Sequence, residues 1–199
     1  SYISLNTMKN QICTILGGSG MIGRNLVRNL TKKNYRCIIS TRNTFQAGFL
    51  KTQATPGAIE LIEWNPSNFA AIKESIKNSD IVINLIGILH ETSKQKFYNI
   101  HSGIPEAVSK ICFEADVKKF IHVSAIGASE NSKSLYQKSK YQGEVKALNN
   151  FKNTVIVRPS VVCGTEDNFT NLFSKLSILP IIPIVKINYK FQPILVSNV

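Results

Sequence analysis

A glycine-rich turn between a short apolar segment and an amphipathic segment constrains this chain more than any other feature. The largely apolar run Ile12 to Leu16 is followed at once by Gly17-Gly18-Ser19-Gly20-Met21-Ile22-Gly23. Apolar side chains then recur at helical spacing over Met21 to Lys32. A strand, a glycine turn and a helix in this order predict that the helix N-terminus is presented at the edge of a parallel sheet.

Each glycine of the triplet Gly17, Gly20 and Gly23 has its own physical task. The three tasks are a tight turn, a close approach of the backbone to a pyrophosphate, and close packing of the helix. The backbone N–H groups that open the helix, at Met21 and Ile22, add unpaired donors and a positive dipole end. The loop therefore predicts dinucleotide binding by these five residues.

The rest of the chain alternates short apolar runs with helical patterns, which is typical of repeated βα units around a buried parallel sheet. The predicted strands are Ile12 to Leu16, Tyr35 to Ser40, Ala58 to Glu63, Ile81 to Ile86, Phe120 to Ser124 and Thr154 to Val157. The predicted helices are Met21 to Lys32, Asn68 to Lys77, Gly103 to Ala115, Tyr136 to Asn149 and Phe169 to Ile178. The expected fold class is α/β, a Rossmann-like doubly wound parallel sheet with helices on both faces.

The alternation fades beyond Arg158-Pro159, and the tail is punctuated by prolines and stops on an apolar stretch. We therefore expect an NAD(P)-binding Rossmann domain over residues 1–165. Residues 166–199 are expected to begin a C-terminal substrate-side segment that is truncated.

The end of the second predicted strand bears on the choice of cofactor. An NAD-binding site commonly places a carboxylate there for the ribose hydroxyls, whereas this chain has Ser40-Thr41-Arg42-Asn43. Arg42 can pair with a 2′-phosphate, so NADP(H) is favoured. If Arg42 only stacks on adenine, NAD(H) is also accommodated. Arg24, in the first helical turn, is either a second phosphate contact or a surface residue.

A possible catalytic set follows the fifth predicted strand. Ser124 ends that strand, and Tyr136 and Lys140 stand four residues apart, hence on one face of the next helix. A free tyrosine has a pKa of about 10, and a nearby ammonium is expected to lower it. Ser124 would then orient a carbonyl while Tyr136 transfers a proton.

We assign four further positions, in addition to Lys140, to contact with the cofactor. Leu85 lies at the end of the fourth predicted strand and Gly87 directly follows it, where a small residue lets the backbone pass a cofactor. Asn65 follows the third strand. Asn99 is interpreted as a helix N-cap with an added role in the site, whereas His101 is interpreted as structural because no metal ligand or triad pattern surrounds it.

Composition narrows the partner classes. The net charge is +12, but the lysines are scattered and no dense basic tract is interleaved with aromatics, so nucleic-acid binding is not expected. Docking to an acidic surface or an anionic membrane stays open. The four cysteines, Cys13, Cys37, Cys112 and Cys163, lack metal-ligand spacing and are expected to be buried thiols, with no metal. No apolar run reaches membrane-spanning length and no leader pattern is present, so a cytoplasmic-side location is the default.

The motifs together resemble the short-chain dehydrogenase/reductase superfamily, in its extended or atypical branch. The stretches that carry the resemblance are the glycine loop, residues 82–89, residues 122–128, Lys140 with Glu144, residues 158–167 and residues 191–199. Within the superfamily they are similar to the family of nucleotide-binding accessory subunits of respiratory complex I, of the alpha subcomplex subunit nine type, and its bacterial relatives.

This resemblance implies NADPH or NADH binding, with the cofactor structural or regulatory, and association with complex I subunits. Beside the cytoplasmic default, a peripheral position on the inner membrane, or on the matrix side in an organelle, stays open. Many members lack the catalytic tyrosine, whereas Tyr136 and Lys140 are present here. The alternative is therefore an active NADP-dependent reductase or a nucleotide-sugar epimerase or dehydratase that uses Ser124, Tyr136 and Lys140.

Overall fold

A six-stranded parallel sheet organises the described part of the protein. The computed structural model describes residues 11–65 and 68–159. Its strands are β1 (Ile12–Leu16), β2 (Arg36–Thr41), β3 (Ile59–Glu63), β4 (Ile81–Asn84), β5 (Lys119–Val123) and β6 (Thr154–Val157). They lie in the order β3-β2-β1-β4-β5-β6, and every neighbouring pair is parallel. This is the strand order of a doubly wound dinucleotide-binding sheet.

Helices cover both faces of this sheet. They are α1 (Met21–Lys32), α2 (Phe69–Ile76), α3 (Ile104–Glu114) and α4 (Leu135–Asn150), with a 3-10 helix over Gly48–Gln53 and a π-helical turn over Tyr98–Gly103. Two apolar layers result. One packs α1 and the 3-10 helix on the sheet through Ile15, Leu26, Leu30, Ile39 and Leu50. The other packs α2, α3 and α4 on the opposite face through Leu16, Ile72, Val82, Val108, Phe120 and Ala147. The predicted fold class is confirmed.

The predicted fourth strand was two residues too long. It ends at Asn84 rather than Ile86, because the side-chain oxygen of Asn84 accepts the Ile86 N–H at 3.1 Å and draws the backbone out of the sheet. This bond opens the loop that passes the carboxyl end of β1.

The interpretation of Asn99 as a helix cap was wrong. Asn99 is exposed and lies inside the π-helical turn, and α3 starts later, at Ile104, with Pro105 in its first turn. Proline is well suited to that position because its missing N–H needs no partner there.

The cysteine prediction is confirmed for Cys13, Cys37 and Cys112, which are buried thiols; burial raises the pKa of Cys37 to about 12. Cys163, the predicted helix Phe169 to Ile178 and the proposed boundary after residue 165 lie outside the described residues. Within residues 11–65 and 68–159, no cluster of three metal-ligating side chains occurs. The same residues contain no helix with the length and apolarity needed to cross a bilayer.

Candidate functional site

The candidate site lies where the sheet changes winding direction. The backbone leaves β1 toward one face of the sheet and leaves β4 toward the other. This divergence opens a crevice beyond the carboxyl ends of the two strands. The glycine loop follows β1, and Leu85 to Ile88 follows β4. The Leu85 N–H still donates to the Leu16 carbonyl at 2.9 Å, so the two loops start from adjacent, fixed points.

The fold itself requires glycine at position 17. Its φ of +81° lies in the left-handed region, which side chains other than glycine rarely adopt. A Cβ atom there would also lie 3.3 Å from Cγ1 of Ile86. The Gly17 N–H donates to the Ser40 carbonyl at 3.1 Å. The turn is therefore fixed between the ends of β2 and β4.

Gly23 and Gly20 differ in what requires them. A Cβ atom on Gly23 would lie 2.4 Å from the Gly18 carbonyl oxygen, so α1 can pack against the loop only through glycine. Gly20 has φ −72° and ψ 174°, a conformation open to any residue. The nearest atom to a Cβ on Gly20, the Gly17 carbonyl oxygen, would be 3.6 Å away. No contact among the described residues requires glycine at position 20, and a closely bound ligand would.

The N-terminus of α1 supplies donors at the same place. The first helical bond runs from the Arg24 N–H to the Gly20 carbonyl at 3.0 Å, so the N–H groups of Met21, Ile22 and Gly23 precede the helical ladder. No acidic side chain lies in the first turn of α1. The end of the helix is thus free to attract an anion through its donors and its dipole.

A cleft of about 450 Å³ joins these elements, a size typical of ligand sites. It runs from the end of β2, across the glycine loop, to the loop after β4. Its lining includes Gly17, Ser19, Gly20, Arg24, Thr41, Arg42, Phe49, Leu85, Ile86, Gly87 and Ile88.

The β2 end of the cleft is cationic. Arg42 is exposed there, and no ion pair engages it within the described part of the chain. The Arg24 guanidinium lies 5.2 Å from the centre of the Phe49 ring, and its Nε donates to the Ser19 carbonyl at 3.3 Å. The described lining residues include no carboxylate. The sequence has no acidic residue at the end of β2, and no acidic side chain from another described segment lines the cleft there.

The structure brings the predicted catalytic residues to one side of the carboxyl edge. Ser124 directly follows β5 and is buried, and its Oγ has no hydrogen-bond partner in the described structure. Tyr136 and Lys140 lie on the first turns of α4, with Lys140 Nζ 5.9 Å from the centre of the Tyr136 ring. Lys140 is only 4% exposed. An unpartnered hydroxyl and a buried ammonium therefore lie near the same edge.

Two effects set the charge of Lys140. Burial lowers its pKa to about 8, and the carboxylate of Glu144 opposes that effect. Glu144 is buried and accepts two bonds from Arg158, at 2.8 and 2.5 Å. This bidentate pair fixes the carboxylate one helical turn beyond Lys140.

The expected lowering of the Tyr136 pKa was wrong. Burial raises the pKa of Tyr136 instead. The Lys140 ammonium approaches the ring of Tyr136, and the described residues show no hydrogen bond between Nζ and the phenol oxygen. The phenol therefore lacks the direct stabilisation of its anion that the helical spacing had indicated.

The remaining predicted contacts divide into two groups. Leu85 and Gly87 line the cleft, and a Cβ atom on Gly87 would lie 3.1 Å from Lys140 Nζ. Gly87 therefore connects the cleft to the Lys140 side. Asn65 and Asn99 are exposed and are not among the residues that line the cleft.

Sequence reasoning missed a buried polar cluster behind this edge. His122 is buried on β5 and its Nδ1 is 3.1 Å from Nδ2 of Asn84. His101 is buried in the π-helical turn and hydrogen-bonds to Ile88 and Ser139. The partners of both histidines are distant in sequence, so no local spacing indicated these contacts.

Comparison with known proteins identifies the family. The sequence profile of the NAD dependent epimerase/dehydratase family matches residues 13–177. The chain belongs to this family. The matching solved structures include a putative NAD-dependent epimerase/dehydratase from Bacillus halodurans, with a TM-score of 0.66 at 18% identity over 76% of this chain and 71% of the other. Another is a UDP-glucuronic acid 4-epimerase from Bacillus cereus in complex with NAD, with a TM-score of 0.62 at 19% identity over 75% and 57%. These likenesses show the fold.

Among curated relatives, the mouse NADH dehydrogenase (ubiquinone) 1 alpha subcomplex subunit 9, mitochondrial, is 32% identical over 98% of this chain and 52% of its own length. The NADH-ubiquinone oxidoreductase 40 kDa subunit of Neurospora crassa is 30% identical over 98% and 51%. A ceramide reductase of Caulobacter vibrioides is 25% identical over 87% and 54%. The chain thus spans about half the length of these relatives. The resemblance to the complex I accessory subunits is confirmed.

Proposed function

We propose that this member of the epimerase/dehydratase family is the nucleotide-binding part of a complex I subunit of the subunit 9 type and holds NADP(H) in the cleft. The observation that carries the proposal is Gly20. The fold leaves room for a side chain at this position, yet a side chain would enter the space in front of the α1 donors. A pyrophosphate bound to those donors explains the glycine.

The orientation of the dinucleotide follows from the two ends of the cleft. The adenosine end fits beside Arg42, whose guanidinium has no ion pair among the described residues and can form charge-assisted bonds to a 2′-phosphate. The pyrophosphate fits the glycine loop with the N–H groups of Met21 and Ile22. The nicotinamide ribose fits near Gly87, within reach of the Lys140 ammonium. A nicotinamide ring at that end would supply hydride-transfer chemistry.

One observation favours a structural or regulatory cofactor over one that is turned over. Burial raises the pKa of Tyr136, which opposes proton release near neutral pH. Lys140, by contrast, needs only its charge and its reach to hold ribose hydroxyls. Binding residues are therefore in place, whereas the phenol is not activated in the geometry described.

A second candidate function is supported by Ser124. Its buried Oγ has no hydrogen-bond partner within residues 11–65 and 68–159, and buried polar atoms are seldom left unsatisfied without a reason. In an active NADP-dependent reductase, or a nucleotide-sugar epimerase or dehydratase, Ser124 would donate to a substrate carbonyl or hydroxyl oxygen. Tyr136 would then give or take the proton, with Lys140 holding the ribose beside it.

Lys140 serves cofactor binding under both functions, so only a substitution of Tyr136 separates them. Lys140→Ala should weaken NADPH binding roughly tenfold, for one lost hydrogen bond to a charged group, in isothermal titration of the 199-residue chain. Under the structural function, Tyr136→Phe should bind NADPH like the wild type and no carbonyl substrate should turn over. Absence of NADPH binding by the wild type would refute both functions. A Tyr136→Phe variant that binds NADPH but loses a wild-type turnover would establish the second.

Partner and location belong to the same proposal. The curated relatives are named as mitochondrial complex I subunits, so we propose association with complex I subunits, peripherally at the inner membrane on the matrix side. An affinity-tagged chain should co-fractionate with complex I on native gels after mild detergent extraction. Release from washed membranes by carbonate would fit peripheral contact, and free migration in native gels would contradict the assignment of the partner.

A further inference from the structure

His101 connects the loop after β4 to helix α4. The Ile88 N–H donates to His101 Nε2 at 3.0 Å, and His101 Nδ1 lies 3.0 Å from Ser139 Oγ. The Ser139 hydroxyl donates to the Tyr136 carbonyl at 2.7 Å. Since a backbone N–H can only donate, Nε2 is the unprotonated nitrogen and Nδ1 carries the proton. The three bonds therefore form a chain with one direction, from Ile88 to α4.

The imidazole is enclosed by neighbouring side chains. It is fully buried, stacks on Phe97 at 5.3 Å between ring centres and meets the edge of Tyr136 at 5.1 Å. On its backbone side, a Cβ atom on Gly143 would lie 1.9 Å from the His101 carbonyl oxygen. Helix α4 thus packs directly on the turn that carries His101.

His101 lies next to the nicotinamide end of the cleft. A Cβ atom on Gly87 would be 3.1 Å from Lys140 Nζ and 3.7 Å from His101 Nε2, so the three residues meet at one point. Burial, and the nearby Lys140 ammonium, lower the pKa of His101 to about 3. A neutral imidazole can accept the Ile88 N–H there without repelling the ammonium.

We propose that His101 is a positioning residue that holds the Gly87-Ile88 loop against α4 and so sets the separation between this loop and Lys140 for the nicotinamide-ribose half of a bound dinucleotide. The part of this inference that concerns the ligand rests on the proposed function. The adenosine half contacts the other end of the cleft, near Arg42, which His101 does not touch. His101 should therefore affect the two halves of the ligand unequally.

Three variants test the two hydrogen bonds of the imidazole separately. His101→Phe keeps the ring and its stacking but removes both bonds. His101→Asn can keep a donor near the Nδ1 position but cannot reach Ile88. His101→Gln can place an oxygen near the Nε2 position and accept the Ile88 N–H. His90→Phe, at an exposed histidine of the same loop, is the matched control.

The 199-residue chain and each variant are titrated with NADPH and with 2′,5′-ADP, which carries the adenosine end without the nicotinamide ribose. We expect His101→Phe and His101→Asn to weaken NADPH roughly tenfold, since lost hydrogen bonds have about this effect. Affinity for 2′,5′-ADP should stay within about twofold, as for distant independent sites. His101→Gln should recover most of the NADPH affinity, and His90→Phe should match the wild type.

Hydrogen exchange of residues 85–91, read by mass spectrometry without ligand, tests the loop directly. Exchange should accelerate in His101→Phe and His101→Asn and return toward the wild-type rate in His101→Gln. Unchanged exchange in the first two variants, or equal loss of both ligands, would overturn the inference. If the wild type binds no dinucleotide, the proposed function fails and the ligand part of the inference fails with it, while the exchange rates still decide whether His101 holds the loop. If His101→Phe does not fold, His101→Asn replaces it.

Discussion

Replacing Gly20 by aspartate should separate stability from binding. Gly20 is the N-cap of α1 in an extended conformation with no side-chain cap, and a Cβ atom there meets nothing closer than 3.6 Å. Aspartate is a favoured N-cap whose carboxylate can accept the free N–H groups of the first turn. Those are the same groups that we assign to the pyrophosphate. The variant should therefore fold well and bind poorly.

The two effects have different sizes. A carboxylate at a helix N-terminus contributes about 0.3–1 kcal/mol, and replacing glycine at a compatible conformation adds about 0.4–1 kcal/mol through the unfolded chain. Together they amount to about 0.7–2 kcal/mol and should raise the melting temperature by about 1–8 °C, at about 2–4 °C per kcal/mol for a chain of this size. A carboxylate about 4 Å from a phosphate charge costs on the order of 4 kcal/mol at an effective dielectric of about 20. That penalty corresponds to roughly a 1000-fold loss of affinity.

Thermal unfolding and calorimetric titration with NADPH measure both effects on one sample. Gly20→Asn is the matched control, because it caps the helix without the charge, and it should lose less affinity than Gly20→Asp. Affinity of Gly20→Asp equal to that of the wild type would show that the pyrophosphate does not lie at this loop. A fall in melting temperature parallel to the loss of affinity would show that glycine 20 serves the fold.

Three further predictions concern other parts of the site. Gly23→Ala should destabilise the protein by about 1–3 kcal/mol in urea unfolding, as overpacking does, because its Cβ would overlap the Gly18 carbonyl; unchanged stability would refute the assigned packing. Arg42→Ala should weaken NADPH by about 1.5–3 kcal/mol in titration and leave NADH nearly unchanged, and equal losses would exclude a 2′-phosphate contact. His101 and His122 have folded-state pKa values of about 3, against an ordinary value of 6.5. The free energy of unfolding that their neutral forms contribute should therefore be fully present above pH 6.5. Below pH 6.5 it should fall by about 1.4 kcal/mol per pH unit for each histidine. A free energy of urea unfolding that does not change between pH 7 and pH 5 would contradict this.

Local pattern was sufficient for most of the fold. The bounds of β1, α1 and β6 match their predictions, because each segment has an unambiguous period and a clear stop signal. The π-helical turn over Tyr98–Gly103 had no such signal, and we interpreted its residues as the segment that leads into α3. Its geometry depends on Gly143 and His101, which meet only when α4 packs on it.

The site was predictable to the extent that its chemistry is local. The glycine loop, Arg42 and the Tyr136-Lys140 spacing could be found from short windows. The pKa of Tyr136 could not, because helical spacing gives neither the burial of the phenol nor the direction from which the ammonium approaches it. The exposure of Asn65 and Asn99 could not be predicted either, because it depends on how the segments that carry them are placed relative to the cleft.

Glycines and polar groups that the fold does not explain point to a ligand. Gly17 and Gly23 are required by a positive φ and by a backbone contact, so they would be needed even in a protein that bound nothing. Gly20 satisfies neither condition, and the Ser124 hydroxyl is buried without a hydrogen-bond partner in the described part of the chain. Both departures from what folding alone favours lie at the carboxyl edge of the sheet, where local rules are broken most often for function. The pyrophosphate that we propose at the glycine loop accounts for the missing side chain of Gly20, and the Ser124 hydroxyl is left for the substrate of the second candidate function.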